Sequence, residues 1–177
     1  MGVFVGSDAT LGRQFTRRSY TAPGKIDGTD SDFVCHHCGA YVLANPVISG
    51  VNNRNHCPYC LSSRHLDLFE GGDRLSACRG SMRPIGLTFK RGHKKYDGQT
   101  ELMLVHECQA CATVSINRIA RDDDVVALRT VLEQSAGLSP AMQEHLKAQG
   151  IHLLEATQSE LPLLTAPAGL YTQYPEA

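Results

Sequence analysis

The chain is 177 residues long, carries a formal net charge of −1, and has 42% hydrophobic but only 6% aromatic residues, with no tryptophan. That length suits one domain with extensions or two small ones, and a core so poor in aromatics would need staples. No apolar run approaches the roughly 18 residues of a membrane-spanning helix, and Met1–Gly6 is too short for the apolar stretch of a secretory signal, so neither membrane insertion nor export is expected.

The near-zero charge hides a split. Residues 32–121 hold eleven Lys/Arg against seven Asp/Glu, while residues 122–177 hold two against eight. A basic middle followed by an acidic end is compatible with a nucleic-acid partner, although the excess is modest. Seven cysteines, six of them in CxxC pairs, fit metal-bound thiolates in a reducing, cytoplasmic setting better than a disulfide framework.

Residues 1–31 read as a flexible basic arm. Arg13, Arg17 and Arg18 alternate with Phe15 and Tyr20, a mixture that suits a phosphate backbone or a plain solvated tail. Asp8 argues against a mitochondrial presequence.

The first metal unit follows. Cys35 and Cys38 form one CxxC, Cys57 and Cys60 another, and 18 residues separate them. Each CxxC makes a tight turn that aims two sulfurs at one point, so two such turns complete a tetrahedron around Zn2+. Gly39 follows the first pair, where the turn calls for a positive φ, and Pro58 stiffens the second. Phe33, Tyr41 and Val42 are expected beside the metal, with turns at Asn45-Pro46 and Gly50. Asn55 and His56 are expected to support a zinc-bound sulfur or a turn carbonyl.

Between residues 63 and 82 lie His65, Asp67 and Asp73 with several arginines. They read as a turn with surface ion pairs or as a hydrolytic constellation. Residues 83–119 read as strands: Ile85, Leu87 and Phe89 alternate with polar or small neighbours, as do Leu102, Leu104 and His106. The connection carries Lys90, Arg91, Lys94, Lys95 and Tyr96, a cationic hairpin tip able to reach phosphates or simply a soluble loop. Cys108 and Cys111 form a third CxxC and with Cys78 supply three thiols. The fourth ligand of this second Zn2+ site is open between His106, which shares a strand face with Cys108, and His65, with His93 a distant third.

Arg54-Asn55-His56-Cys57-Pro58 does not stand alone. Gly72-Asp73-Arg74, Cys78, Met82-Arg83-Pro84-Ile85-Gly86, His106-Glu107-Cys108 and Asn117-Arg118-Ile119-Ala120 follow in order. Together they resemble the RNHCP-domain family of small, mostly bacterial proteins, over residues 33–124. The resemblance implies a zinc-binding domain and brings no established activity. More loosely, the first knuckles are similar to the paired CxxC ribbons of small ribosomal proteins, an analogy of fold.

Asp122-Asp123-Asp124 is expected to open a helix running to Ala136, with Val125, Leu128 and Leu132 on one face. Ser139-Pro140 starts a second helix ending at Gly150. Its single full cation, Lys147, gives little support to groove reading. The expected organisation is a basic arm (1–31), a double zinc-ribbon domain (32–121), an acidic helical extension (122–156) and an extended tail (157–177). The fold class is a small zinc-stabilised β-rich domain of two zinc-ribbon-like units with a C-terminal α-helical hairpin, α+β overall.

Three functions remain in competition. The first is a non-enzymatic RNA-binding module of the translation apparatus, with Arg54, Arg64, Arg79, Arg83, Lys90, Arg91, Lys94 and Lys95 on phosphate and Tyr59 or Tyr96 stacking. The second is a hydrolase or nuclease with His65, Asp67 and Asp73 beside an open second zinc. The third is an adaptor that docks a protein partner through 122–156.

Overall fold

The computed structural model describes residues 32–91 and 100–155. The arm (1–31), the basic tip (92–99) and the chain from 156 onward lie outside the described residues.

Two short strands, β1 (Phe33–Val34) and β2 (Tyr41–Val42), pair antiparallel around the first CxxC and make a small sheet of their own. A one-turn helix, α1 (Pro46–Ser49), comes next. Asn45 caps it by accepting from the Val47 amide, and Gly50 ends it in the left-handed region. The turn signals at Asn45-Pro46 and Gly50 therefore bracket a helical turn.

The main sheet is antiparallel with strand order β3-β4-β5-β6, formed by Ser63–Arg64, Ser81–Arg91, Thr100–Cys108 and Val114–Arg118. β4 and β5 make the long hairpin that alternation leads one to expect, with Leu87 opposite Leu104 and Phe89 opposite Leu102. Alternation fails at Ile85. The register passes from Pro84–His106 to Gly86–Val105 and leaves Ile85 without a partner. This bulge turns Ile85 away from the Leu87 face, so that it packs with Val105 and Leu146 instead.

α2 (Val125–Ser135) covers one face. Its Leu128, Val131 and Leu132 interlock with Leu61, Leu87, Leu102 and Leu104 in the largest apolar cluster. Burial of each such side chain contributes about 1.5–3 kcal/mol. α3 (Pro140–Ala148), capped by Ser139, buries Leu146 on the opposite face. The chain then returns along β4. The Leu154 amide donates to the Leu87 carbonyl at 2.8 Å, and Thr88 Oγ1 donates to the His152 carbonyl at 2.6 Å. That covers a strand edge which β3 is too short to pair. No helix among the described residues is long and apolar enough to cross a membrane.

Candidate metal centres

Three CxxC turns fold alike. In each, the amide of the first cysteine donates to the carbonyl five residues on: Cys35 to Ala40, Cys57 to Ser62, Cys108 to Thr113. The amide just after the second cysteine returns to the first cysteine's carbonyl, Gly39 to Cys35, Leu61 to Cys57 and Ala112 to Cys108, each at 2.9 Å. Gly39, Leu61 and Ala112 have φ of +74°, +57° and +58°. A side chain in this region costs about 1–2 kcal/mol, so two of the three turns hold a backbone that local preference opposes.

Arg79, directly after Cys78, also has a left-handed φ of +54°. His65 fills the place of the missing sulfur. Its Nδ1 lies 3.2 Å from Cys111 Sγ, and Cys78 and Cys108 sulfurs are 3.7 Å apart.

Two groups of four donors result, Cys35/Cys38/Cys57/Cys60 and His65/Cys78/Cys108/Cys111, each with its ligand atoms within 4.8 Å of one another. In the first, Cys35–Cys60 and Cys38–Cys57 sulfurs are 3.6 Å apart. A regular tetrahedron with Zn–S near 2.3 Å has edges of about 3.8 Å, so both groups already have the spacing zinc requires. Burial pushes the Cys57 and Cys60 thiols up, whereas the Thr113 hydroxyl and then its amide bring Cys111 down to about 6. Gly80 makes the second group possible: a Cβ there would stand 2.8 Å from Cys108 Sγ and 3.2 Å from Cys78 Sγ. Either group can hold a metal ion, and the thiolate-rich donor sets suit zinc.

His106 lies outside the second group. Alternation does put it on the face of Cys108, but two residues along a strand span about 6.8 Å, which carries the ring a layer deeper into the fold. There it is fully buried. Nε2–H donates to the Leu61 carbonyl at 2.7 Å, and Nδ1 accepts from Asn117 Nδ2 at 2.9 Å. Burial lowers its pKa to about 3, so the ring is neutral.

The segment before the second CxxC is tied to the start of α2. Arg54, expected on RNA, is fully buried. It donates to Asp122 at 2.7 Å and to Asp123 at 3.2 Å. It cannot reach a phosphate. His56 Nε2 donates to the Asp123 carboxylate at 2.8 Å. The amide of Asp124 donates to the Pro58 carbonyl at 2.9 Å. Asn55 donates to Asp67 at 3.4 Å. Neither Asn55 nor His56 bonds a sulfur, so their expected support of the metal ligands is replaced by clamping of the 122–124 turn and the 67–74 loop.

A model of the RNHCP domain matches residues 30–129. The chain belongs to the RNHCP-domain family. No curated protein and no solved structure matches it. The five residues that spell the RNHCP domain's name divide cleanly here: Cys57 belongs to the first donor group, Arg54 and His56 grip Asp123, Asn55 donates to Asp67, and the Pro58 carbonyl anchors the helix start.

The other expected site residues of the RNHCP domain are placed as follows. Asp67 and Asp73 are occupied in their own loop. Asp73 accepts the amides of Leu68, Phe69, Glu70 and Leu75. Asp67 accepts from the Arg74 amide and from Asn55. Arg83 is half exposed and held by Glu107 at 2.7 Å. Arg64 donates to the Arg79 carbonyl and to His36 Nε2. Lys90 and Tyr59 are exposed. The Arg91 side chain and Lys94, Lys95 and Tyr96 lie outside the described residues. Sequence reasoning missed Asp122 and Asp123 as internal counter-ions. The available signal was the run of three aspartates itself, longer than a helix start requires.

Proposed function

We propose that this RNHCP domain is a non-enzymatic, cytoplasmic zinc module of two zinc-ribbon-like units and a helical hairpin, and that it binds RNA of the translation apparatus. The observation that carries the reading is the closed second donor set. Four protein ligands characterise structural zinc, whereas catalytic zinc keeps a position for water or substrate. A hydrolase built on His65, Asp67 and Asp73 would have to take His65 from the metal and Asp73 from four backbone amides. Rigid metal-bound turns instead suit the display of cations. Arg64, Arg79 and Lys90 have no carboxylate partner among the described residues, and the sequence that joins β4 to β5 includes Lys94 and Lys95.

The test is the salt dependence of RNA binding by the zinc-loaded chain, followed by fluorescence anisotropy. Log affinity should fall linearly with log salt, by about 0.7 per phosphate contacted on a single strand. Lys94→Gln and Lys95→Gln should each reduce that slope by about the same amount. Affinity unchanged between low and high salt would reject the phosphate model.

A further inference from the structure

A cleft of about 320 Å3 opens beside the first donor group. Its walls come from the first knuckle, with Val34 and His36, and from β3 and the segment after Cys78, with Arg64, Arg79 and Ser81. No carboxylate lines it among the described residues. Arg64 spends its guanidinium on neutral acceptors only: Nε and Nη2 on the Arg79 carbonyl at 3.4 and 3.2 Å, Nη1 on His36 Nε2 at 2.9 Å. Arg79 donates one bond, from Nη2 to the Arg74 carbonyl at 3.0 Å. Of the five N–H groups on each guanidinium, two on Arg64 and four on Arg79 are thus still to be given.

The competing account is that these arginines balance thiolate charge. That explains cations near sulfur. It does not explain an open cleft between them, nor an apolar side formed by Phe33 and Val34 next to the cationic one. A volume of this size exceeds a bare phosphate and falls at the small end of ligand pockets. Guanidinium forks match phosphate oxygens bidentately, and an apolar wall suits a planar base.

We infer that this cleft is a nucleotide site: Arg64 and Arg79 bind one phosphate, and the base lies against Phe33 and Val34. That the nucleotide belongs to an RNA strand rests on the function proposed above; the phosphate site does not.

Calorimetric titration of the zinc-loaded full chain tests it, with adenosine 5′-monophosphate, adenosine, inorganic phosphate and hexauridylate as probes. The monophosphate should bind one to one and more tightly than inorganic phosphate, and adenosine should not bind. Arg64→Gln and Arg79→Gln should each weaken it about tenfold or more. Arg64→Lys and Arg79→Lys keep the charge that thiolates would need but lose the fork, so they should retain zinc and still bind several-fold more weakly. Monophosphate binding that is absent, or indifferent to all four substitutions, would overturn the site. Equal affinity for inorganic phosphate would overturn the nucleotide assignment. Hexauridylate bound through Lys94 and Lys95 but insensitive to Arg79→Gln would remove the cleft and leave the RNA reading standing. Monophosphate bound at Arg79 without any hexauridylate binding would do the reverse.

Discussion

Asp123 accepts hydrogen bonds from Arg54, His56 and the Ala120 amide with its side chain fully buried, while Asp122 is 31% exposed and Asp124 caps α2. Three identical neighbours therefore have unequal weight. Asp123→Ala leaves a buried guanidinium short of its counter-ion and should cost about 3–5 kcal/mol. Asp124→Ala should cost about 1 kcal/mol as a lost cap, and Asp122→Ala, which leaves Arg54 still paired with Asp123, about 1.5–3 kcal/mol. Urea unfolding at fixed zinc concentration gives the order; equal losses at all three positions would refute it. A similar contrast separates two histidines. His65→Ala should lower bound zinc from two ions per chain to one. His106→Phe should keep both ions while losing about 1–3 kcal/mol, since the Leu61 carbonyl and Asn117 are left without their partner. At this scale the sequence discloses residue types and their spacing but not their depth. Arg54 looks like any other arginine in a basic stretch until the aspartates 68 and 69 positions away are seen to reach it.

At the scale of elements, local signals were legible wherever a short-range rule dictates the backbone. Gly39 adopts the positive φ expected of it, Ser139-Pro140 starts α3, and the apolar alternation of β5 sets its pairing with β4. Ile85 was not legible, because a bulge depends on how two strands register and leaves no mark in either alone. The choice of His65 over His106 as fourth donor was not legible either, because sharing a strand face with Cys108 does not disclose depth. The 66–76 loop makes its own case. Burial acts to raise the Asp73 pKa, but the backbone amides of its loop outweigh that and hold the carboxyl well below the usual range. The folded-state value is depressed, so the stabilisation is complete above the ordinary carboxylate pKa and lost only as pH falls below it. At neutral pH, then, Asp73→Asn removes it. Hydrogen exchange at the Leu68, Phe69, Glu70 and Leu75 amides should accelerate in that variant while exchange along β5 does not change. Uniform acceleration would mean that Asp73 serves the whole fold.

For the whole molecule, the question is how much of the shape zinc maintains. Low aromatic content and paired CxxC turns led to the expectation of a small core that metal sites staple. The two ends of the domain differ in this respect. Around the first donor group the buried cluster consists of Cys35, Val42 and Cys57, with Phe33, Ala40 and Cys60 packed at its side, so half of its members are ligands. The main sheet instead rests on Leu61, Leu87, Leu102, Leu104, Leu128, Val131 and Leu132, of which only Leu61 belongs to a CxxC turn. Residues 122–135 are part of that core. Deletion of 122–177 should therefore unfold the domain, because it removes three core side chains together with the counter-ion of Arg54 and His56, and a truncated chain that kept its near-native circular dichroism would contradict this. Metal removal should act unevenly for the same reason. Metal binding is folding free energy where no other core exists, and only the β1–β2 lobe meets that condition. Chelation should abolish amide protection across residues 33–42 while most protection persists in β4, β5 and α2. Loss of all protection in a single step with the first equivalent of zinc removed would show instead that both ions and the leucine core form one cooperative unit.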